Sequence, residues 1–243
     1  MFLRRDTHRL YHELAWVYDA IYPQIFDYKA VYGALKPVLE EKQVESILEV
    51  ACGTGRLMAL LESGGYRVTG LDLSPEMLAL ARPKVNGVLV QGDMRELGFH
   101  EEFDAVLCLG SSFTYMSTDQ GALKALRGFH SALKPGGILV FDNFDARRFD
   151  PERYRDWRES VYRVDGATIT RRTRNRGWDS ETYRWMTEWE YTIEKEGSTQ
   201  RVTDSGALRA FTYEQLNGLL YEAGFTGVQL LNGDRLTIKA EKG

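Results

Sequence analysis

Glu49-Val50-Ala51-Cys52-Gly53-Thr54-Gly55 closes a short apolar run and leads into Arg56, Leu57 and Met58, the pattern of a strand turning sharply into a helix. Glycines in such a turn let the backbone approach a ligand closely, and ligands of open α/β sheets bind beyond the carboxyl ends of the strands. A dinucleotide fingerprint places a glycine three residues after Gly55, where this chain has Met58. The turn therefore lacks the third glycine of a pyrophosphate site, and a glycine-rich turn without a ligand stands as the alternative. Later runs end in matching fashion. Asp72 closes the second, where an acidic side chain can accept from both hydroxyls of a ribose. Gln91-Gly92-Asp93-Met94 follows the third, where a carboxylate can accept from an exocyclic amine and a backbone N–H can serve a ring nitrogen. Leu107-Cys108-Leu109-Gly110-Ser111 ends the fourth. Together these describe a nucleoside pocket without phosphates.

The elements that must hold these loops are readable too. The chain has 243 residues, 43% hydrophobic and 27% charged, with 31 Lys and Arg against 35 Asp and Glu. That length suits one large domain with an insertion, and a net charge of -4 exerts no long-range pull on a phosphate backbone. Apolar runs at Ser46–Ala51, Val68–Leu73, Val88–Gln91, Phe103–Leu109 and Ile138–Phe141 alternate with helical segments, which predicts a parallel sheet covered on both faces. Ser74-Pro75 reads as a helix N-cap with proline at the first helical position, and Lys134-Pro135-Gly136-Gly137 as the end of a helix. Upstream, a helix over Tyr11–Ile21 stops at Pro23, and a second runs from Asp27 past Glu40 with Pro37 kinking it. Downstream, Tyr183, Trp185, Thr187, Trp189, Tyr191 and Ile193 alternate with polar residues, the period of an antiparallel strand with one aromatic face. Glu196-Gly197-Ser198 turns into a partner strand near Gln200–Arg209. A helix over Tyr213–Glu222 and strands near Val228–Leu231 and Leu236–Ala240 follow. No stretch stays apolar for the roughly 20 residues of a membrane span. Met1–Leu10, with Arg4, Arg5, Asp6 and Arg9, lacks a signal peptide's apolar core, so a cytoplasmic location is expected. Cys52 and Cys108, inside apolar runs, read as reduced core thiols.

Taken in order, Glu49–Leu57, Gly70–Leu78, Gln91–Leu97, Phe103–Met116 and Leu133–Asn143 resemble the successive motifs of class I S-adenosylmethionine-dependent methyltransferases. The similarity implies a doubly wound, seven-stranded Rossmann-like sheet of order 3-2-1-4-5-7-6 with its last strand antiparallel. It implies S-adenosylmethionine as cofactor and S-adenosylhomocysteine as product. Asp72 would meet the ribose, Asp93 and Met94 the adenine, and Ala51 with Gly53 would lie beneath the methionine moiety. Glu49 would orient that loop and Leu109 would lie opposite the ligand amine. Cys52, Gly55, Leu73, Met77, Gly92 and Gly110 complete the expected shell, with Arg56 near the ligand carboxylate. Ala51 departs from the glycine of many members. Tyr11, Tyr18 and Tyr22 fall on one helical face, which serves either core packing or a lid whose hydroxyls reach the cofactor or acceptor. The segment around Tyr18-Asp19 and Tyr28, the Cys-Gly-Thr-Gly turn, Gln91-Gly92-Asp93-Met94-Arg95 and a β-rich insertion are similar to enzymes that dimethylate amino sugars. The expected division is a helical lid over 1–43, a cofactor-binding domain over 44–159 and 212–243, and an antiparallel β insertion over 160–211.

Methyl transfer from a sulfonium is an in-line displacement, so the protein must align donor and acceptor and, for a hydroxyl or ammonium, remove a proton. Tyr115 stands where the amino-sugar enzymes have a histidine, and a phenol is a much poorer base near neutrality. Tyr115 and Tyr18 are the catalytic candidates, with a mere pocket wall as the alternative for Tyr115. Asp142-Asn143 resembles the metal pair of catechol-type O-methyltransferases, but Gly110-Ser111-Ser112 leaves the oxygen cage incomplete, so no metal is expected. His8, His12, His100 and His130 show no ligand spacing. The signatures of cytosine-C5 and of amide or adenine N-methylation are absent, which disfavours nucleic-acid acceptors. The basic run Arg171, Arg172, Arg174 and Arg176 reads as a solvated strand face. Methyl transfer to N or O of a small-molecule acceptor is the expectation, and the insertion is a candidate homodimer surface. One of Tyr18 or Tyr22 and one of Arg172, Trp185 or Trp189 should lie near the cofactor's reactive end. A non-catalytic S-adenosylmethionine-binding or dimerisation module and an NAD-dependent oxidoreductase are the alternatives.

Overall fold

The computed structural model describes residues 8–232 and 235–243. Residues 1–7 of the expected lid, and with them the leader reading drawn from Arg4, Arg5 and Asp6, lie outside the described residues. Strands β1 (Ser46–Val50), β2 (Arg67–Asp72), β3 (Val88–Gln91), β4 (Phe103–Cys108) and β5 (Leu133–Asn143) enter one sheet. Strands β6 (Arg158–Val164), β7 (Ala167–Asp179), β8 (Arg184–Lys195) and β9 (Ser198–Arg209) form a second, and β10 (Phe225–Asn232) and β11 (Leu236–Lys242) return to the first. The first sheet has the order β3-β2-β1-β4-β5-β11-β10, with β11 antiparallel to β5. Counted within that sheet this is 3-2-1-4-5-7-6, the doubly wound Rossmann-like arrangement expected. β1 is buried along its whole length, which is why a continuous apolar run encodes it.

Among the described residues six α-helices flank or precede the sheets: α1 (Ala15–Ile21), α2 (Tyr28–Glu41), α3 (Arg56–Ser63), α4 (Pro75–Ala81), α5 (Asp119–Ala132) and α6 (Tyr213–Glu222). Their starts follow local chemistry. Asp27 accepts from Ala30 N–H and Ser74 from Met77 N–H, while Thr212 and Gln215 form a capping box. Leu35 and Leu39 of α2 pack with Leu57 and Leu61 of α3 on one face of the first sheet, and Leu126 and Phe129 of α5 with Leu216 and Leu220 of α6 on the other. A third cluster joins Leu14, Val17 and Ile21 to Ile169, Trp189 and Tyr191 of the second sheet.

α2 contains Pro37, with Leu35 and Leu39 buried on either side of it. Two local expectations change. The first helix begins only at Ala15, because the backbone breaks at His12 (φ -113°, ψ -101°), leaving Arg9–Tyr11 as a separate 3-10 turn. Lys134–Gly137 belong to the start of β5 rather than to the end of α5, and the pairing of β4 with β5 shifts register between Phe103 and Ala105. β8 alternates as expected, with Trp185, Thr187, Trp189, Tyr191 and Ile193 buried.

Candidate cofactor and acceptor site

Beyond β1 the chain turns through left-handed backbone, with φ of 56° at both Ala51 and Gly53. The Gly53 N–H donates to Asp72 Oδ2 at 2.8 Å and the Ser74 N–H to Asp72 Oδ1 at 2.9 Å. Asp72 thus clamps the loop and keeps about half of its lone-pair sites for other donors. Burial raises its carboxyl above the ordinary range, and the two N–H groups oppose that rise. Below the loop, a Cβ on Gly53 would meet Met77 Cε at 3.4 Å. Gly92 N–H donates to the Asp72 carbonyl, and the Leu73 carbonyl accepts from Gln91 Nε2. Cys52 is buried and burial pushes its thiol up, as expected for a core thiol. Gly55 caps α3, Met94 and Leu109 pack on opposite faces of the sheet, and Gly110 turns the chain beyond β4 with φ 74°. Asp93 is gripped by Arg95, Nη2 to Oδ2 at 2.6 Å.

Glu49 is only 6% exposed. Burial, reinforced by Asp72 and Glu62, pushes its carboxyl from an ordinary 4.5 up to about 8, and its Oε2 has no hydrogen-bond partner. A buried carboxylate oxygen without a donor is unfavourable on its own and favourable toward a cation. The loop therefore fits a ligand that carries an ammonium group and vicinal hydroxyls. Arg56 is otherwise engaged, donating to the Asp19 side chain at 3.0 Å and to its carbonyl at 2.8 Å. Lys84 also reaches Asp19, at 2.9 Å, so this cluster pins α1 to α3.

The N-terminal tyrosines close over this loop. A Cβ on Gly53 would lie 3.9 Å from the Tyr18 hydroxyl. Tyr18 stacks on Tyr22 at 3.7 Å, Tyr11 meets Tyr18 edge to face at 5.7 Å, and the Tyr11 and Tyr115 hydroxyls are 2.7 Å apart. The Tyr11 carbonyl accepts from Ser74 Oγ and His12 pairs with Glu76, which ties the lid to the turn after Asp72. Burial pushes Tyr11, Tyr18 and Tyr115 above the ordinary phenol range, the wrong direction for a base. From the second sheet, Trp189 reaches the cluster through His8, at 5.6 Å, while Trp185 stacks on Phe149 at 4.3 Å in a separate aromatic group. Arg172 faces away, pairing with Glu190 at 2.7 Å. The inward arginine is Arg171, opposite Tyr191 in the ladder and next to Tyr22. Strand parity could have found it, since Arg171 shares the Tyr191 side of the pleat. His8 gave no such signal. On the rim, Ser111 N–H donates to Asp142 Oδ1 at 2.6 Å, Arg235 bonds Ser111 Oγ, and Asn143 is fully buried with both amide atoms unpartnered.

Residues 47–137 match a protein family described as a methyltransferase domain. A putative methyltransferase of Bacillus subtilis is 43% identical over 101 residues, 40% of this chain and 41% of that protein. Together with the sheet order and the loops at its carboxyl ends, the chain belongs to the class I S-adenosylmethionine-dependent methyltransferases. Within that class its relatives include sugar N,N-dimethyltransferases and glycine/sarcosine N-methyltransferases. The dTDP-3-amino-3,4,6-trideoxy-alpha-D-glucopyranose N,N-dimethyltransferase of Streptomyces venezuelae is 34% identical over 161 residues, 64% of this chain and 66% of that protein. The S-adenosylmethionine-bound structure of an amino pentose methyltransferase from Micromonospora echinaspora is 26% identical, covers 93% of this chain and 97% of its own, and superposes with a TM-score of 0.77. The chain spans 41% and 66% of the lengths of the two curated relatives.

Proposed function

We propose that this chain transfers a methyl group from S-adenosylmethionine to the nitrogen of a small-molecule amine, with an amino sugar as the acceptor class. The observation that carries the reading is the seating of Tyr18 over Gly53, because it joins the cofactor loop directly to the aromatic space that an acceptor would occupy. Asp72 takes the ribose hydroxyls on the lone pairs left free by Gly53 and Ser74. Asp93 and Met94 hold the adenine, and the unpartnered Glu49 oxygen faces the ligand ammonium beside Ala51. Cys52, Gly55, Leu73, Met77, Gly92, Leu109 and Gly110 shape the walls, and Tyr22 braces Tyr18. When bound, S-adenosylmethionine supplies a methyl carbon on a sulfonium, and a new C–N bond forms as the C–S bond breaks. The chain's own contribution is alignment and the exclusion of water by the tyrosine lid and the inner face of β7 and β8. A nicotinamide reading is weakened by Met58 where a pyrophosphate loop has its third glycine. Among the described residues no helix is long and apolar enough to cross a membrane. A cytoplasmic location and a homodimer through the second sheet complete the reading.

Calorimetry and methyl transfer test it together. S-adenosylhomocysteine should bind in the micromolar range or tighter, and label from methyl-labelled S-adenosylmethionine should appear on the amine of dTDP-3-amino-3,4,6-trideoxy-alpha-D-glucopyranose, the sugar named for the Streptomyces venezuelae relative. Binding of NAD in place of S-adenosylhomocysteine would overturn the reading.

A further inference from the structure

We propose that His8 is the catalytic base of this site, taking a proton from the acceptor amine while Asp204 orients its ring. This rests on the methyltransferase reading above. His8 precedes the turn Arg9–Tyr11, and its side chain is 12% exposed. Its ring lies 4.9 Å from that of Tyr115, 5.6 Å from Trp189 and 5.8 Å from Tyr11. The seat is built for it. A Cβ on Gly206 in β9 would fall 1.9 Å from His8 Cε1, so the ring fills a notch that only glycine leaves open. Asp204, also in β9 and 7% exposed, holds one oxygen 3.8 Å from His8 Nδ1. That carboxylate is itself fixed, accepting from Leu10 N–H at 3.1 Å and from Ser205 N–H at 2.8 Å. His8 Nδ1 is buried and has no hydrogen-bond partner, an arrangement that tightens when an imidazolium forms beside a carboxylate.

The neighbouring charges favour the same role. The groups facing His8 are Asp204 from β9, Tyr11 from its own segment and Tyr115 from the turn after β4, with Arg171 of β7 acting on Tyr115 from behind. The two phenols are paired to each other, and burial pushes both upward, so they serve as hydrogen-bond donors. Imidazole is the side chain suited to exchanging protons near neutrality. The ring chain His8, Tyr115, Tyr11, Tyr18 leads to Gly53 of the cofactor loop. In the reaction, the acceptor ammonium loses a proton to an imidazole nitrogen. The freed lone pair forms the C–N bond as the C–S bond breaks, its electron pair staying on sulfur, and the imidazolium then releases the proton to water.

The variants His8→Gln, His8→Ala and Gly206→Ala test this, with dTDP-3-amino-3,4,6-trideoxy-alpha-D-glucopyranose as the probe and S-adenosylhomocysteine calorimetry as the folding control. Each should lower kcat by about 100- to 1,000-fold while holding S-adenosylhomocysteine affinity within about threefold. Gly206→Ala keeps the histidine but displaces its ring. In His8→Gln only acceptor amine that has already lost its proton to water can react, so the acidic limb of the pH profile should move to higher pH, and added imidazole should restore part of the His8→Ala rate. Wild-type kcat and pH profile in His8→Gln, or no rescue of a folded His8→Ala chain by imidazole, overturns the role of His8 alone. A wild-type chain that binds S-adenosylhomocysteine yet methylates no amine overturns the function reading and the base together.

Discussion

At the cofactor end, Gly53 and the Asp72 carboxylate that holds it are 19 residues apart, and the contact is a backbone N–H on a carboxylate. At the proposed acceptor end, Leu10 and the Asp204 that holds it are 194 residues apart, and the contacts around them are ring on ring. The first end is formed inside one strand-turn-helix unit and its neighbouring strand. The second exists only after the N-terminal segment, the turn beyond β4 and the second sheet have packed together. Such an arrangement lets the acceptor pocket change side chain by side chain while the cofactor loop stays as it is.

If the two ends are independent in this way, damage to one should spare the other. Trp189 is 8% exposed in the cluster that joins α1 to the second sheet, and truncation to alanine should lower unfolding free energy by about 3–5 kcal/mol. Chemical denaturation measures that loss. Calorimetry on the folded variant should find S-adenosylhomocysteine affinity unchanged, and a matching loss of affinity would show that the ends are one cooperative unit. Glu49 probes the cofactor end in the opposite direction. Its carboxyl, raised to about 8, stays protonated in the folded chain while the unfolded chain ionises near 4.5, so its contribution is favourable below that pH and is lost as pH rises toward 8. Glu49→Gln should therefore be more stable than the wild type by roughly 2–4 kcal/mol at pH 8 and equal to it near pH 4. The same substitution should weaken S-adenosylhomocysteine binding at pH 8, since it removes the counter-charge for the ligand ammonium. Equal pH dependence in both proteins would exclude Glu49 as the titrating group.

The unequal legibility of the two ends has the same physical origin. Asp72, Ser74 and the turn of Ala51, Gly53 and Gly55 could be placed from sequence because each sits at a fixed offset from the end of an apolar run, and the sheet order followed from the motif series. The antiparallel strand over β8 was equally plain from its period of two. What stayed hidden depends on tertiary contact. Arg171, rather than Arg172, points inward because it shares the pleat side of the buried Ala167 and Ile169 and pairs with Tyr191; that parity lies in the sequence, whereas the contact with Tyr22 does not. In the sequence His8 is one of four histidines without ligand spacing, and its seat is made by Gly206 and Asp204 from the far end of the chain. The link from Arg56 to Asp19 of the lid is likewise tertiary, joining residues 37 apart in the chain.

Within the cofactor end, Asp72 should outweigh Asp93. Hydrogen bonds to a charged acceptor contribute about 1.5–3 kcal/mol, so Asp72→Ala should weaken S-adenosylhomocysteine by about 10- to 100-fold. Asp93→Asn keeps an amide oxygen that still accepts and should cost less than about fivefold. Calorimetry of both variants decides the order, and a reversal would move the ribose contact away from Asp72.

The smallest expected effect separates backbone strain from ligand contact at two positions that share one conformation. Ala51 and Gly53 both have φ of 56°, a region that disfavours any residue with a Cβ by about 1–2 kcal/mol. Glycine at position 51 removes that strain and returns part of the gain as extra freedom in the unfolded chain. Ala51→Gly should thus stabilise the protein by about 0.5–1 kcal/mol, with S-adenosylhomocysteine affinity unchanged. Gly53→Ala introduces the same strain, and its Cβ would stand 3.4 Å from Met77 Cε and 3.9 Å from the Tyr18 ring, in ordinary contact. Its folding penalty should therefore be the backbone's alone, about 1 kcal/mol. The methyl group nevertheless enters the space between the loop and the tyrosine lid, so S-adenosylhomocysteine binding should fall more steeply than stability does. Thermal unfolding with and without ligand reads both quantities for each variant. Should Gly53→Ala lose stability and affinity in equal measure, the space beneath Tyr18 is not where the ligand lies.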